Sequence, residues 1–170
     1  MFLSAFGWFH HHELRLCRAA NQRSGARVVW WMRLATRVGD APLWFSIAYA
    51  MHWVRSDWMG LRMALAIGVG ALVCRAIKLV TGRDRPFAAY PDIQRLAAPI
   101  DRYSFPSGHT LHAVSSAVIV SHAIPQLAPV MWTLAAAVGA SRVVLGFHYP
   151  TDVAAGATIG ATIGAIAANW

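Results

Sequence analysis

Long apolar segments with few charged residues dominate this chain and limit the folds that it can adopt. A bilayer-spanning α-helix needs about 20 consecutive apolar residues. Segments of roughly that character lie at Met59–Val80, Ser107–Ile124, Leu127–Leu145 and Pro150–Trp170. A further segment, Ala41–Val54, is shorter, and it spans a bilayer only if it begins near Leu34 or tilts. The sequence therefore predicts an all-α fold: an integral membrane helical bundle of about five transmembrane helices.

The charged residues are few and mostly basic, which narrows the classes of partner. They make up 13% of the chain, against about a quarter in a typical soluble domain. The net charge of +8 comes almost entirely from arginine, because Lys78 is the only lysine. Many of these arginines flank apolar segments, so we predict no nucleic-acid partner. Membrane lipids with anionic headgroups, or a phosphate substrate, fit this charge better.

The N-terminal segment 1–38 alternates aromatic and basic residues and holds no apolar run long enough to span. We predict one or two amphipathic helices in the headgroup plane, broken near Ser24–Gly25, and a separate transmembrane domain over 39–170. Met1–Phe9 lacks the basic start and cleavage site of a signal peptide. His10–His12 fits an interfacial helix better than a metal site. No disulfide is expected between Cys17 and Cys74.

A polar connection at Thr81–Phe105 separates the second and third apolar segments, and a short helix is predicted within it at Asp92–Ala98. In an up-and-down bundle, the end of the second segment, the start of the third, the end of the fourth and the start of the fifth lie on the same side of the membrane. This arrangement predicts that one group of polar residues converges there, namely Lys78, Arg85, Ser107, Gly108, His109, Arg142, His148 and Asp152. Arg75, inside the second segment, is expected to face protein or water rather than lipid.

The converging residue types suit a tetrahedral oxyanion. Three cations can neutralise it, and a helix that opens at Ser107–Gly108 presents free N–H groups to it. If Pro150 opens a helix, His148 lies just outside its N-terminus and Asp152 about one turn further in. A carboxylate there can accept a hydrogen bond from one imidazole nitrogen and leave the other as a lone pair. The alternative is a loop histidine beside a capping aspartate.

Phosphoryl transfer requires this combination of cations, a nucleophile and a proton donor. The carboxylates are too few to hold two magnesium ions, so arginine and lysine would neutralise the phosphate. A zinc site formed by His109, His148 and Asp152 is the alternative, although the nearby cations would repel the metal. No metal and no cofactor are therefore predicted.

Three motifs in this region resemble those of the type-2 phosphatidic acid phosphatase superfamily. They are K-L-V-T-G-R-D-R-P at Lys78–Pro86, P-S-G-H at Pro106–His109, and S-R-x5-H-x3-D at Ser141–Asp152. The set is intact, stands in the family's order and covers about the C-terminal half of the chain. The short length and the N-terminal segment, rich in histidine and aromatic residues, are loosely similar to the small bacterial undecaprenyl diphosphate phosphatases.

The resemblance implies a metal-independent lipid phosphatase that forms a phosphohistidine. His148 would be the nucleophile, Asp152 would orient it, and His109 would protonate the leaving oxygen. The phosphate would be held by Lys78, Arg85, Arg142, the Ser107 hydroxyl and the Gly108 amide. We expect undecaprenyl diphosphate as substrate, with phosphatidylglycerophosphate or phosphatidate as alternatives, and no obligatory protein partner.

Two alternatives remain at this point. The soluble vanadate-dependent haloperoxidases share these motifs, but the apolar segments argue against them. A non-catalytic anion-binding membrane protein would need the histidines to be incidental, and the chain shows no inverted repeat of the transporter kind.

The resemblance implies a multi-pass protein of the bacterial inner membrane with a periplasmic site. The arginines of residues 1–38 favour a cytoplasmic site by the positive-inside rule. Basic residues of an interfacial helix can bind anionic lipid on either leaflet, so we favour the periplasmic side.

Overall fold

The structure, a computed structural model, describes residues 2–55, 58–98 and 101–170, and of residues 2–10 and Arg55 only the backbone. In chain order the helices are α1 (Phe2–Gln22), α2 (Ala26–Val38), α3 (Ala41–Arg55), α4 (Met59–Thr81), α5 (Pro86–Ala89), α6 (Gly108–Ala123), α7 (Ala128–Val144) and α8 (Pro150–Asn169). A 3₁₀ turn at Pro125–Leu127 precedes α7. Within the described ranges, β-structure is limited to an isolated bridge between Asp84 and Tyr103. The all-α prediction is confirmed.

Among the residues that the structure describes, three segments are long and apolar enough to cross a membrane, namely α4, Pro125–Val144 and α8. The helices α3 and α6 have 15 and 16 residues, fewer than the roughly 20 that a straight span needs. Of the two conditions under which α3 could span a bilayer, a start near Leu34 is not met. α2 ends at Val38 and α3 begins at Ala41, with Gly39 capping the end of α2 between them.

α6 is the central helix of the bundle and packs against α4, α7 and α8. Every residue from Thr110 to Ala117 is buried. The surrounding core includes Met63, Ile67 and Val138, all fully buried. Because other helices surround it, α6 can carry serines and a histidine that would be costly against lipid.

Three glycines of α8 allow it to lie directly against α6, as their four-residue spacing predicts. A Cβ atom at Gly156 or Gly160 would stand 2.4 Å from the carbonyl oxygen of Ser107 or Leu111, respectively. At Gly164 the distance to the carbonyl oxygen of Ser115 would be 2.8 Å. The backbone N–H of Ser107 also donates to the carbonyl of Asp152 at 3.0 Å. This packing fixes the N-terminal ends of α6 and α8 beside each other.

The polar connection folds differently from the prediction. Its helix lies at Pro86–Ala89, and residues 92–98 form turns and irregular structure. Proline favours the first turn of a helix, and Pro86 begins α5. The predicted helix at Asp92–Ala98 was wrong because that stretch bonds to other parts of the chain. The N–H of Gln94 donates to the Asn21 side chain, and the N–H of Leu96 donates to the Leu145 carbonyl.

The N-terminal segment forms two helices separated at Arg23–Gly25, as predicted. α2 packs against α7, and α1 contacts the polar connection. Arg18 of α1 binds Asp92 at 2.6 Å. The placement of α1 and α2 in the headgroup plane of the membrane stays a prediction, as does the domain boundary at residue 38. Met1 and the side chains up to His10 lie outside the described part of the structure. The predictions made for Met1–Phe9 and for His10 concern that part of the chain.

Candidate active site

A cavity of about 520 Å³ opens where α4, α6 and α7 meet the loop before α8. Its walls include six of the residues that the sequence predicted to converge: Lys78, Arg85, Gly108, His109, Arg142 and His148. Ser107 and Asp152 are not part of the cavity wall, and both are fully buried. The two histidines therefore share one cavity with three cations, in the arrangement that the order of the apolar segments predicted.

His148 lies in the loop between α7 and α8 and is 1% exposed. The loop turns at Gly146, whose φ of 80° favours glycine, and the N–H groups of Phe147 and His148 donate to the carbonyl of Arg142. Nε2 of His148 lies 3.2 Å from Nη1 of Arg85. Because a guanidinium can only donate, Nε2 is the acceptor, and the neutral ring carries its proton on Nδ1.

The surroundings keep this imidazole neutral. Burial lowers the pKa of His148 well below its usual value, and the nearby charges of Arg142, Arg85 and Lys78 lower it further. A neutral imidazole with a lone pair on Nε2 is the form that can attack an electrophile.

Asp152 lies beside His148 but does not form the predicted hydrogen bond. Oδ2 of Asp152 is 3.5 Å from Nδ1 of His148, longer than a normal hydrogen bond. The same oxygen accepts the backbone N–H of Tyr149 at 2.9 Å, and Oδ1 accepts from Arg83 at 2.7 Å. The expected direct bond is therefore wrong for this structure, because the helix cap and Arg83 hold the carboxylate. Asp152 still places a negative charge next to the proton-bearing nitrogen.

Lys78 and Arg85 already bind an oxyanion, the carboxylate of Asp101. Nζ of Lys78 lies 2.9 and 2.8 Å from its two oxygens, and Nη2 of Arg85 lies 2.6 Å from Oδ1. Burial raises the pKa of Asp101, but the hydrogen bonds and charges of Lys78 and Arg85 outweigh it and lower the pKa overall. The two cations thus form a site with the geometry and charge for an anion that enters the cavity.

Arg142 has binding capacity that the protein leaves unused. It is 3% exposed, its guanidinium stacks 4.5 Å from the Phe147 ring centroid, and Nη1 contacts Thr36 Oγ1. Nε is buried and has no hydrogen-bond partner in the part of the chain that the structure describes. A buried donor without a partner is costly, so this nitrogen retains unused hydrogen-bonding capacity in a residue that lines the cavity.

His109 has a partner that the sequence did not reveal. Its Nε2 lies 2.9 Å from Oδ1 of Asp40, at the junction of α2 and α3. The preceding Gly39 permits this approach, because a Cβ there would stand 2.8 Å from Cδ2 of His109. Asp40 lies outside the three motifs and 69 residues before His109, so no local pattern indicates the pair.

Ser107 is not positioned as predicted. Its hydroxyl pairs with Thr110 Oγ1 at 2.9 Å and does not line the cavity. Gly108, the first residue of α6, does line the cavity, so the backbone N–H groups at this helix end can bind a phosphate there. His112, one turn later on α6, also lines the cavity, and its Nδ1 has no partner among the described residues.

Across residues 2–55, 58–98 and 101–170, no three His, Cys, Asp or Glu side chains gather as metal ligands.

A sequence model described as the PAP2 superfamily matches residues 59–170. The chain belongs to the PAP2 superfamily. The match covers α4 to α8, which carry the three motifs, and excludes α1 to α3. In fold, this PAP2 protein is similar to the crystal structure of a transmembrane PAP2-type phosphatidylglycerolphosphate phosphatase from Bacillus subtilis. The TM-score is 0.79 at 27% identity, over 94% of this chain and 84% of that one.

Two curated relatives are also similar in sequence. Decaprenylphosphoryl-5-phosphoribose phosphatase of Mycobacterium tuberculosis is 36% identical over 126 residues, which are 70% of this chain and 64% of that protein. An undecaprenyl-diphosphatase of Sulfolobus acidocaldarius is 27% identical over 156 residues, 89% of this chain and 74% of that protein. The chain thus spans slightly less than two thirds of the mycobacterial protein's length.

Proposed function

We propose that this PAP2 protein is a membrane-embedded lipid phosphate phosphatase that works through a phosphohistidine on His148 and needs no metal. One observation supports this most directly: the buried neutral imidazole of His148 lines a cavity together with Lys78, Arg85 and Arg142. Its Nε2 lone pair accepts from Arg85 and becomes available for attack when that guanidinium binds the phosphate instead. The names of the relatives, which are phosphatases of lipid phosphates, agree with it.

In the first step, Nε2 of His148 attacks the phosphorus and the bond from phosphorus to the lipid oxygen breaks. The leaving oxygen takes a proton from Nδ1 of His109, which begins this step as an imidazolium with its Nε2–H donating to Asp40. The three cations neutralise the equatorial oxygens. Asp152, next to Nδ1, stabilises the positive charge that develops on the ring of His148.

In the second step, water attacks the phosphohistidine, and His109 now accepts the proton from that water. The bond between phosphorus and Nε2 breaks, inorganic phosphate leaves, and His148 returns to its neutral form. His109 lines the same cavity as the nucleophile, where one imidazole can serve as acid and then as base.

The cavity wall also includes Ala71, Arg75 and Leu79, which are exposed residues of α4. Since α4 is one of the candidate membrane spans, the cavity opens toward the bilayer. A lipid tail can therefore remain among hydrocarbon while its phosphate enters. Our proposed substrate is undecaprenyl diphosphate, with phosphatidylglycerophosphate or phosphatidate as alternatives. The proposed location is the inner membrane of a bacterium, with the site facing the periplasm.

The test measures phosphate release from these lipids by the purified protein in excess EDTA. We expect full activity with EDTA, complete loss in His148→Ala, and near-normal activity in the control His122→Ala. His122 is an exposed histidine near the C-terminal end of α6. Loss of wild-type activity on chelation would overturn the metal-free mechanism, and activity in His148→Ala would overturn the role of the nucleophile.

The side of the membrane is tested separately by cysteine labelling in intact cells. Arg95→Cys places a thiol on the exposed connection beside the site, while Cys17 and Cys74 are buried and give little background. Labelling by a membrane-impermeant reagent is expected for a periplasmic site. Labelling only after lysis would place the site in the cytoplasm.

A further inference from the structure

A partly buried network joins α1 to the aspartate beside the nucleophile. Nη1 of Arg83 lies 2.7 Å from Oδ1 of Asp152 and 2.9 Å from Oγ1 of Thr151. Nη2 of the same guanidinium binds Oε1 of Glu13, and the Thr151 hydroxyl donates to Oε2 of Glu13. The guanidinium also lies 3.9 Å above the ring of Tyr149. One arginine therefore connects two carboxylates from opposite ends of the chain, Glu13 and Asp152.

The burial of these groups makes the network costly to disturb. Glu13 is 8% exposed and Asp152 is fully buried. A buried charge is stable only when paired and hydrogen-bonded. Both carboxylates bind the same guanidinium, so a change at Glu13 alters the arginine that Asp152 contacts.

The shared guanidinium gives Glu13 a role in catalysis. Arg83 binds Asp152 through Nη1 and Glu13 through Nη2, so its positive charge is divided between two carboxylates. Arg83 therefore offsets less of the negative charge that Asp152 places beside Nδ1 of His148. That negative charge favours the positively charged imidazole ring that forms when Nε2 bonds to phosphorus.

None of Glu13, Arg83 and Asp152 lines the cavity. Glu13 also lies outside the matched PAP2 region, which begins at residue 59. We infer that Glu13 and Arg83 are positioning residues, through which α1 holds the carboxylate of Asp152 in place beside His148. This inference rests on the proposed phosphatase function. It gives α1 a role in catalysis in addition to the predicted contact with lipid headgroups.

The test compares Glu13→Gln with Asp92→Asn. Both substitutions replace a carboxylate with an amide at an ion pair between α1 and a neighbouring segment. Asp92 pairs with Arg18 near the surface and does not contact Asp152. We expect Glu13→Gln to lower kcat by about 10- to 100-fold. KM and inhibition by inorganic phosphate, which the cations hold without a bond to Nε2, should stay within about twofold of wild type, since Glu13 does not touch the ligand. Asp92→Asn should retain near-normal kcat.

A double variant makes the test independent of simple destabilisation. In Arg83→Gln the carboxylates of Glu13 and Asp152 lose their shared partner, and a large loss of kcat is expected. If Glu13 acts through Arg83, the double variant with Glu13→Gln loses no more than Arg83→Gln alone. Losses that multiply would show that the two residues act independently and would overturn the inference.

Two further results would overturn it. They are an unchanged kcat in Glu13→Gln, and equal losses of kcat in Glu13→Gln and Asp92→Asn. The thermal midpoints of all variants are measured in the same detergent, and a kcat loss that follows the midpoint across the set also counts against it. A wild-type protein without lipid phosphatase activity would instead refute the proposed function itself.

Discussion

The contact between α6 and α8 gives the sharpest prediction about how the fold positions the site. Gly156→Ala adds one methyl group at the point where the two helices touch, one turn after Asp152. That Cβ would stand 2.4 Å from the carbonyl oxygen of Ser107, whereas ordinary contact begins at 3.4 Å. The helices must therefore separate locally by about the difference, 3.4 − 2.4 = 1.0 Å. This shift moves Asp152 and His148 relative to Gly108 and His109.

The expected cost has two parts. Overpacking of a tight contact typically destabilises a protein by about 1–3 kcal/mol. A displacement of about 1 Å between catalytic groups costs about 100-fold in rate. We therefore expect Gly156→Ala to lower the thermal midpoint moderately and kcat by about two orders of magnitude.

The assay is phosphate release from a lipid phosphate, with thermal unfolding measured in the same detergent. Gly164→Ala is the matched control for stability, since its Cβ would stand 2.8 Å from the Ser115 carbonyl oxygen. It lies eight residues further along α8, about 12 Å from Gly156, and should destabilise the protein with a smaller loss of kcat. Gly68→Ala is the neutral control, because its Cβ would meet nothing within 4 Å. Equal kcat in Gly156→Ala and Gly68→Ala would refute the reasoning.

Three further predictions concern the charges around the cavity. Asp40→Asn should lower kcat about 10- to 100-fold for a lipid phosphate, whose alkoxide leaving group must be protonated. The loss should be much smaller for nitrophenyl phosphate, whose leaving group needs little protonation. Equal losses for both substrates would exclude orientation of His109 by Asp40. Asp101→Asn should tighten inhibition by inorganic phosphate roughly two- to fivefold, because phosphate no longer competes with a carboxylate for Lys78 and Arg85; weaker inhibition would contradict this. Because the pKa of His148 is lowered in the folded protein, the unfolded chain binds more protons than the folded one below about pH 6.5, and the folded protein loses stability as the pH drops through that range. In thermal scans, the midpoint of His148→Gln should fall less steeply with pH than that of wild type. An identical fall in both proteins would contradict the neutral state assigned to His148.

The sequence predicted those site residues that belong to local motifs. Lys78, Arg85, His109, Arg142 and His148 each lie near the end of a helix, so the order of the helices was sufficient to bring them together. The helix that opens at Pro150 and the close packing of α8 also followed from local chemistry and spacing.

The contacts that orient these residues were not predictable from sequence. Asp40 and Glu13 come from the part of the chain before residue 59 and bind His109 and Arg83 across separations of 69 and 70 residues. Whether a carboxylate so distant lies beside His109 or Arg83 depends on tertiary packing that no local pattern encodes. The same limit applies to Asp152. The motif assigned its carboxylate to His148 alone, whereas in the structure it accepts hydrogen bonds from Arg83 and from the Tyr149 N–H.

The central claim is that His148 carries the phosphoryl group between the two steps. Its most direct test is rapid quenching of the protein with a lipid phosphate labelled at the transferred phosphorus, followed by mapping of the labelled peptide by mass spectrometry. The account predicts label on His148 in the wild-type protein, and none in His148→Ala. Phosphate release without labelled protein, or label on another residue, would contradict it.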